Sequence, residues 1–212
     1  MPIALVLFDL DHVLSDYSHA ARIGVLAERT GCAPEAVHAA LFGSGLEDES
    51  DRGDWSAHGY ADELSRRLGA AVSLDDLVHA RAASMRANAE TIRIAHEVAQ
   101  RAEVAILTNN GLYMQTRMHE LCPALMPLFA GRVRFAAEFG TVKPDPEVYV
   151  RCLRALDATP ETTLFVDDKA ENVAGAHCAG LHAVQFTDTA RLRRDLHSYR
   201  LIEAAADVRF AP

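Results

Sequence analysis

Apolar residues in this chain gather in short continuous runs rather than alternating with polar ones. Ile3–Phe8 is the first, and Val104–Leu107, Val133–Ala136, Thr163–Val166 and His182–Phe186 repeat the pattern. Short runs of this kind, with β-branched members, predict strands buried on both faces, as in a parallel sheet. Helix-length segments separate them. Asp145-Pro146 predicts a helix start, an N-cap followed by Pro in the first turn. Lys169–Ala179 predicts another helix, closed by Gly180. Strands alternating with helices place the chain in the α/β class, as a Rossmann-like parallel five-stranded sheet flanked by helices.

One stretch departs from the alternation. Residues 15–87 hold no convincing strand and predict helices punctuated by turns. Pro34 opens one helix, Ser56 caps a second that ends at Gly69, and Ser73 caps a third with Asp76 in the capping-box position. Gly43–Gly53 is the most loop-like piece. The expected organisation is a Rossmann-like core of residues 1–14 and 88–212, with a small all-helical domain of residues 15–87 inserted after the first strand. Beyond about residue 190 a terminal helix and a tail are expected.

Composition narrows the partners. The 212 residues are 50% hydrophobic, enough to bury a sizeable core. The formal net charge of −9 argues against nucleic acid and acidic membrane, which both select for positive surfaces. A small phosphorylated molecule needs only a locally positive pocket. Cys32, Cys122, Cys152 and Cys178 lie far apart and form no CxxC pair, so neither a zinc site nor a disulfide framework is expected, and a reduced cytoplasmic setting fits. The opening apolar run ends at Asp9, too soon for a signal peptide or a membrane span, and no later run is long enough to span. Nothing in the pattern speaks to oligomeric state.

Four short pieces carry chemistry. Asp9-Leu10-Asp11 follows the first strand. If the strand opens into a loop there, both carboxylates reach one site, one as a nucleophile and the other as an acid and base. Thr108-Asn109-Asn110 follows the second strand and offers a hydroxyl, amides and free backbone N–H groups to a phosphate. Lys143 stands before the stiff Pro144-Asp145-Pro146 turn, where it can act as a fixed positive charge. Asp167-Asp168, with Asn172 beyond, ends the fourth strand, and Asp168 can join Asp9 around a Mg²⁺ ion, which prefers hard oxygen ligands. Each piece alone has a plainer reading: loop acids, ordinary helix capping, or a solvated lysine. Together they fall at or just beyond the C-terminal ends of strands, and a parallel sheet gathers those ends on one edge.

With these pieces in hand, the chain resembles the haloacid dehalogenase-like hydrolase superfamily. The resemblance rests on FDLDHVL (8–14), LTNN (107–110), TVKPDPEVY (141–149) and LFVDDKAENVAGAHCAGL (164–181), in the family's order and spread along the chain. It implies that residues 15–87 form a cap, in a subgroup similar to sugar-phosphate phosphatases and the phosphatase domain of soluble epoxide hydrolase. Arg52-Gly53-Asp54 with Ser56 resembles a turn of that subgroup's cap. The resemblance further implies Asp9 as nucleophile and Asp11 as general acid and base. Mg²⁺ would be held by Asp9, the Asp11 carbonyl and Asp168. Thr108 and Lys143 would bind the phosphoryl group, with Asn109 supporting that loop. Asp167 and Asn172 would stand behind the metal ligands.

The implied activity is Mg²⁺-dependent hydrolysis of a small phosphorylated metabolite through an aspartyl-phosphate, with Asp11 raised by a neighbouring carboxylate. The rivals are a 2-haloacid dehalogenase, a phosphomutase and a catalytically quiet binding protein. One residue departs from the family: His12 stands where Gly is usual, and it either meets the leaving group or points away. Arg52, Trp55, His58 and Tyr60 are the candidate substrate contacts in the cap.

Overall fold

The computed structural model describes residues 2–203. In chain order, β1 (Leu5–Phe8) is followed by β2 (Ser15–Tyr17), α1 (His19–Thr30), α2 (Pro34–His38), α3 (Leu46–Asp51), α4 (Ala57–Leu68), α5 (Leu74–Ser84) and β3 (Met85–Ala87). Then come α6 (Ala89–Val98), β4 (Glu103–Thr108), the short helices α7 (Leu112–Gln115), α8 (Met118–Leu121) and α9 (Met126–Phe129), and β5 (Val133–Phe135). The chain continues with α10 (Pro146–Ala155), β6 (Thr163–Asp167), α11 (Ala170–Cys178), β7 (His182–Gln185) and α12 (Thr189–Ser198). The five expected strands form one sheet in the order β5-β4-β1-β6-β7, and every neighbouring pair is parallel. The tail expected after the last helix lies, from residue 204 on, outside the described residues.

The central strand shows why an all-apolar run was needed. Side chains alternate between faces, so Val6 and Phe8 join the larger core while Leu5 and Leu7 join the other. On the second face they meet Val148, Tyr149 and Leu153 of α10. On the first they meet Ile94 and Val98 of α6, and that core continues without a break into Leu26, Leu64 and Leu77 of the inserted helices. No helix among the described residues is long and apolar enough to cross a membrane.

Helix ends follow local chemistry. Ser56 accepts from the Gly59 amide at 3.0 Å, and Ser73 and Asp76 form the reciprocal capping box. Asp145 caps α10 by accepting from the Glu147 amide at 2.9 Å.

Two features differ from expectation. The Gly43–Gly53 piece is not a loop, because α3 occupies its middle. Gly45, at φ 77°, turns the chain into that helix, and Glu47, Asp48 and Glu49 lie in its first turn, where negative charge is favoured. The insertion is also bracketed by two strands, β2 and β3, paired antiparallel with Ser15 opposite Ala87 and Tyr17 opposite Met85. Strands of three residues carry no readable periodicity, and this pairing joins positions about 70 residues apart, beyond the reach of local pattern.

Candidate active site

The order of the sheet sets the site. β1 lies between β4 and β6, so Asp9, Thr108 and the pair Asp167-Asp168 emerge side by side at one edge. Lys143 reaches them from the loop before α10. Its ammonium pairs with Asp9 Oδ1 at 2.7 Å and donates to Asp167 Oδ2 at 2.7 Å and to the Leu107 carbonyl at 3.1 Å. Lys143 is only 4% exposed. Its backbone is gripped at two points by Asn109, which accepts from the Lys143 N–H and donates to the Lys143 carbonyl, both at 2.9 Å. The Asn109 side chain is thus turned to the lysine loop. Gly175 of α11 presses on the same loop from behind; a Cβ there would stand 2.0 Å from the Pro144 carbonyl oxygen.

The two acids at the end of β6 differ in their bonding. Asp167 is fully buried, and both its oxygens are engaged, by Lys143, by the Lys169 amide and by Asn172. Asp168 is half-buried, and its Oδ1 is shut off from water without a hydrogen-bond partner. Carboxylate oxygens of Asp9, Asp167 and Asp168 lie within 4.8 Å of one another. Three clustered acids, one with an unpartnered buried oxygen, suit a hard divalent cation.

Burial pushes the Asp9 carboxyl up to about 7, against the pull of Lys143 and with the help of Asp167. Burial also raises Asp168, and Asp167 adds to the shift.

Asp11 is set differently. Its Oδ2 accepts from Arg81 at 2.5 Å and from the Asn110 amide at 3.1 Å, while Oδ1 has no partner. Burial favours the protonated form, but the Arg81 charge and its hydrogen bond, then Asn110, outweigh burial and hold the carboxyl below its ordinary range. The expectation that a neighbouring acid raises Asp11 is therefore overturned. Asn110 also donates to Thr108 Oγ1 at 2.7 Å within its own motif, and its bond to Asp11 ties the second motif to the first.

His12 has φ 65°, a left-handed conformation that glycine adopts at no steric cost. This accounts for the glycine usual at the position. Its exposed side chain lines the same cavity as Asp11 and His19.

A family model of haloacid dehalogenase-like hydrolases matches residues 3–180. The chain belongs to this family. A Mycobacterium tuberculosis protein named as a phosphatase is 30% identical to this hydrolase over 208 residues, which cover 93% of this chain and 95% of that one. Among solved structures, a predicted haloacid dehalogenase-like hydrolase from Porphyromonas gingivalis superposes with a TM-score of 0.75 at 23% identity, covering 96% of this chain and all of that one. A family enzyme from Bacteroides thetaiotaomicron, solved with magnesium and inorganic phosphate, gives a TM-score of 0.74 at 17% identity, over 90% of this chain and 98% of that one.

The hydrolase brings Asp9, Asp11, Thr108, Asn109, Lys143, Asp168 and Asn172 to one cavity, with Asp167 directly beneath. None of the four candidates in the insertion lines it. Arg52 pairs with Asp54 at the surface, His58 is exposed, Trp55 donates to Glu49, and Tyr60 is buried, donating to Glu47. The insertion lines the cavity with other residues instead, Arg81 and the acids Glu47, Asp48 and Asp51 among them. Arg81 had a readable signal: it falls four residues after Leu77 and three before Ser84, on the buried stripe of α5. A charged residue on such a stripe needs a partner.

Proposed function

We propose that this hydrolase is a Mg²⁺-dependent phosphatase that removes the phosphoryl group from a small phosphorylated metabolite by way of an aspartyl-phosphate on Asp9. The observation that carries this reading is the cluster of Asp9, Asp167 and Asp168, with the buried Lys143 ammonium between Asp9 and Asp167, beside a second acid after β1, Asp11. A dehalogenase of this fold needs neither the metal cluster nor that second acid. The magnesium and phosphate bound by the Bacteroides relative and the name of the mycobacterial one point the same way.

In this reading Asp9, the Asp11 carbonyl and Asp168 would hold Mg²⁺. Asp168 is preferred to Asp167 because both Asp167 oxygens are already engaged. The bound ion would supply positive charge that keeps Asp9 ionised and offsets repulsion between carboxylate and phosphate. Asp9 then attacks phosphorus; the Asp9–phosphorus bond forms as the bond to the leaving oxygen breaks. Lys143, steered by Asn109, offsets charge on the transferring oxygens, with Thr108 beside it. Asp11 gives its proton to the leaving oxygen and takes one back from the water that cleaves the aspartyl-phosphate. Arg81 on Oδ2 favours the ionised form of Asp11, the form suited to receiving that proton, and leaves the unpartnered Oδ1 to carry the proton of the first half. Residues 15–87 act as a cap on the core of residues 1–14 and 88–212, with the β2–β3 ribbon as the hinge, and shield the reaction from bulk water.

Two outcomes are expected. Phosphate release from a panel of phosphate esters stops with excess chelator and returns with added Mg²⁺; undiminished release in chelator contradicts the metal assignment. Gly175→Ala displaces the Pro144 turn and hence Lys143, costing about 1–3 kcal/mol of stability together with turnover. Thermal unfolding and phosphate release on one preparation check this, and two unchanged values contradict it.

A further inference from the structure

The cavity over the site has a volume of about 420 Å³, near the small end for metabolite pockets. Its wall on the insertion side sets acids and Arg81 beside the rings of Tyr17, His19 and Phe42. Phe42 is the one wholly apolar side chain lining it among the described residues. A hydrocarbon leaving group would strip water from carboxylates there and return nothing.

The charges on that wall are unevenly matched. Helix α3 presents Glu47, Asp48 and Asp51. Glu47 is taken by the buried Arg22, at 2.5 and 3.0 Å, and Arg81 is taken by Asp11. Asp48 and Asp51 make no ion pair among the described residues. Asp51 Oδ1 is buried without a partner. So is Nε of Arg81, a side chain 1% exposed on the same cavity. An unmet buried polar atom costs about 1–3 kcal/mol, so these two mark where a ligand's own polar atoms complete the network. Burial, then Glu47, push the Asp51 carboxyl well above its ordinary range, against Arg22 and Arg81, with Asp11 adding to the rise. The carboxyls of Glu47, Asp48 and Asp51 crowd that wall and disfavour a second negative charge on a ligand.

We propose that Asp51 is the specificity-determining residue for the leaving group, admitting compact groups that donate hydrogen bonds, through hydroxyl or ammonium, and rejecting those with a second negative charge or a hydrocarbon chain. The inference rests on the phosphatase reading. The test compares kcat/KM for glycerol 3-phosphate, phosphoethanolamine, phosphoglycolate and hexyl phosphate, with Mg²⁺, in wild type, Asp51→Asn and Asp51→Leu. In wild type, at least one of the first two exceeds both of the others by about tenfold, or about 1.4 kcal/mol, and whichever leads identifies hydroxyl or ammonium as the donor. Asp51→Asn keeps a hydroxyl acceptor and loses about tenfold of any ammonium preference. Asp51→Leu shifts the ratio of hexyl phosphate to the preferred ester about tenfold towards hexyl phosphate. A wild-type preference for phosphoglycolate or hexyl phosphate, or ratios unchanged in both variants, overturns the inference and leaves the phosphatase reading intact. Release from none of the four esters overturns both.

Discussion

Asp9→Asn is expected to lower phosphate release at least about a thousandfold while the protein stays folded. The carboxamide has nearly the shape of the carboxylate but no nucleophilic oxygen, and it removes one of the anions that would hold a cation. Folding should not suffer. Asp9 is 7% exposed, and burial already disfavours its charge, pushing it up to about 7. Lys143 keeps its bond to Asp167 and to the Leu107 carbonyl. The variant should therefore melt at or above the wild-type temperature. Release within tenfold of wild type, from a folded sample, would remove Asp9 from the role of nucleophile.

Lys143→Met is expected to cost both stability and activity. The buried ammonium joins Asp9 to Asp167, so its removal leaves two carboxylates without their shared counter-charge. Breaking a buried pair in this way typically costs about 3–5 kcal/mol. Losing an aligned cation at the transferring group costs about a hundredfold to a thousandfold in turnover. The stability deficit carries a pH signature. Asp9 is held above its unfolded value near 3.8 in the native protein, and the loss of Lys143 raises it further. The folded state then binds more protons than the unfolded one, so stability falls as pH rises between the unfolded and folded values. Below about 7 Asp9 carries its proton in wild type and variant alike, so the deficit should grow as pH rises above about 7 and level off below it. Chemical denaturation at several pH values checks this, and a pH-independent deficit would contradict the pairing.

What could be read from the sequence followed from how local each signal is. The five strands were legible as short, largely apolar runs; the sheet buries β1, β4 and β6 on both faces and leaves the edge strands β5 and β7 partly exposed, and the parallel order then brought Asp9, Thr108 and Asp167-Asp168 together. Caps at Ser56, Ser73 and Asp145 were legible because their bonds close within two or three residues. Arg81 was missed because its partner Asp11 lies 70 positions away and a single arginine on a helix ordinarily faces water. Asp51 was hidden in a segment whose flanking glycines suggested a loop, although its acids favour a helix start. The low setting of Asp11 was missed for the same reason as Arg81, since the charge that sets it comes from the insertion.

The most direct measurement is chemical trapping of the phosphorylated carboxylate. The enzyme is mixed with substrate and Mg²⁺, quenched within the first turnovers and reduced with borohydride, which converts an acyl phosphate to an alcohol. Peptide mass spectrometry is expected to find homoserine at position 9, and none there in Asp9→Asn. Reduction at Asp11 or at another carboxylate, or turnover with no trapped residue, would contradict the aspartyl-phosphate on Asp9.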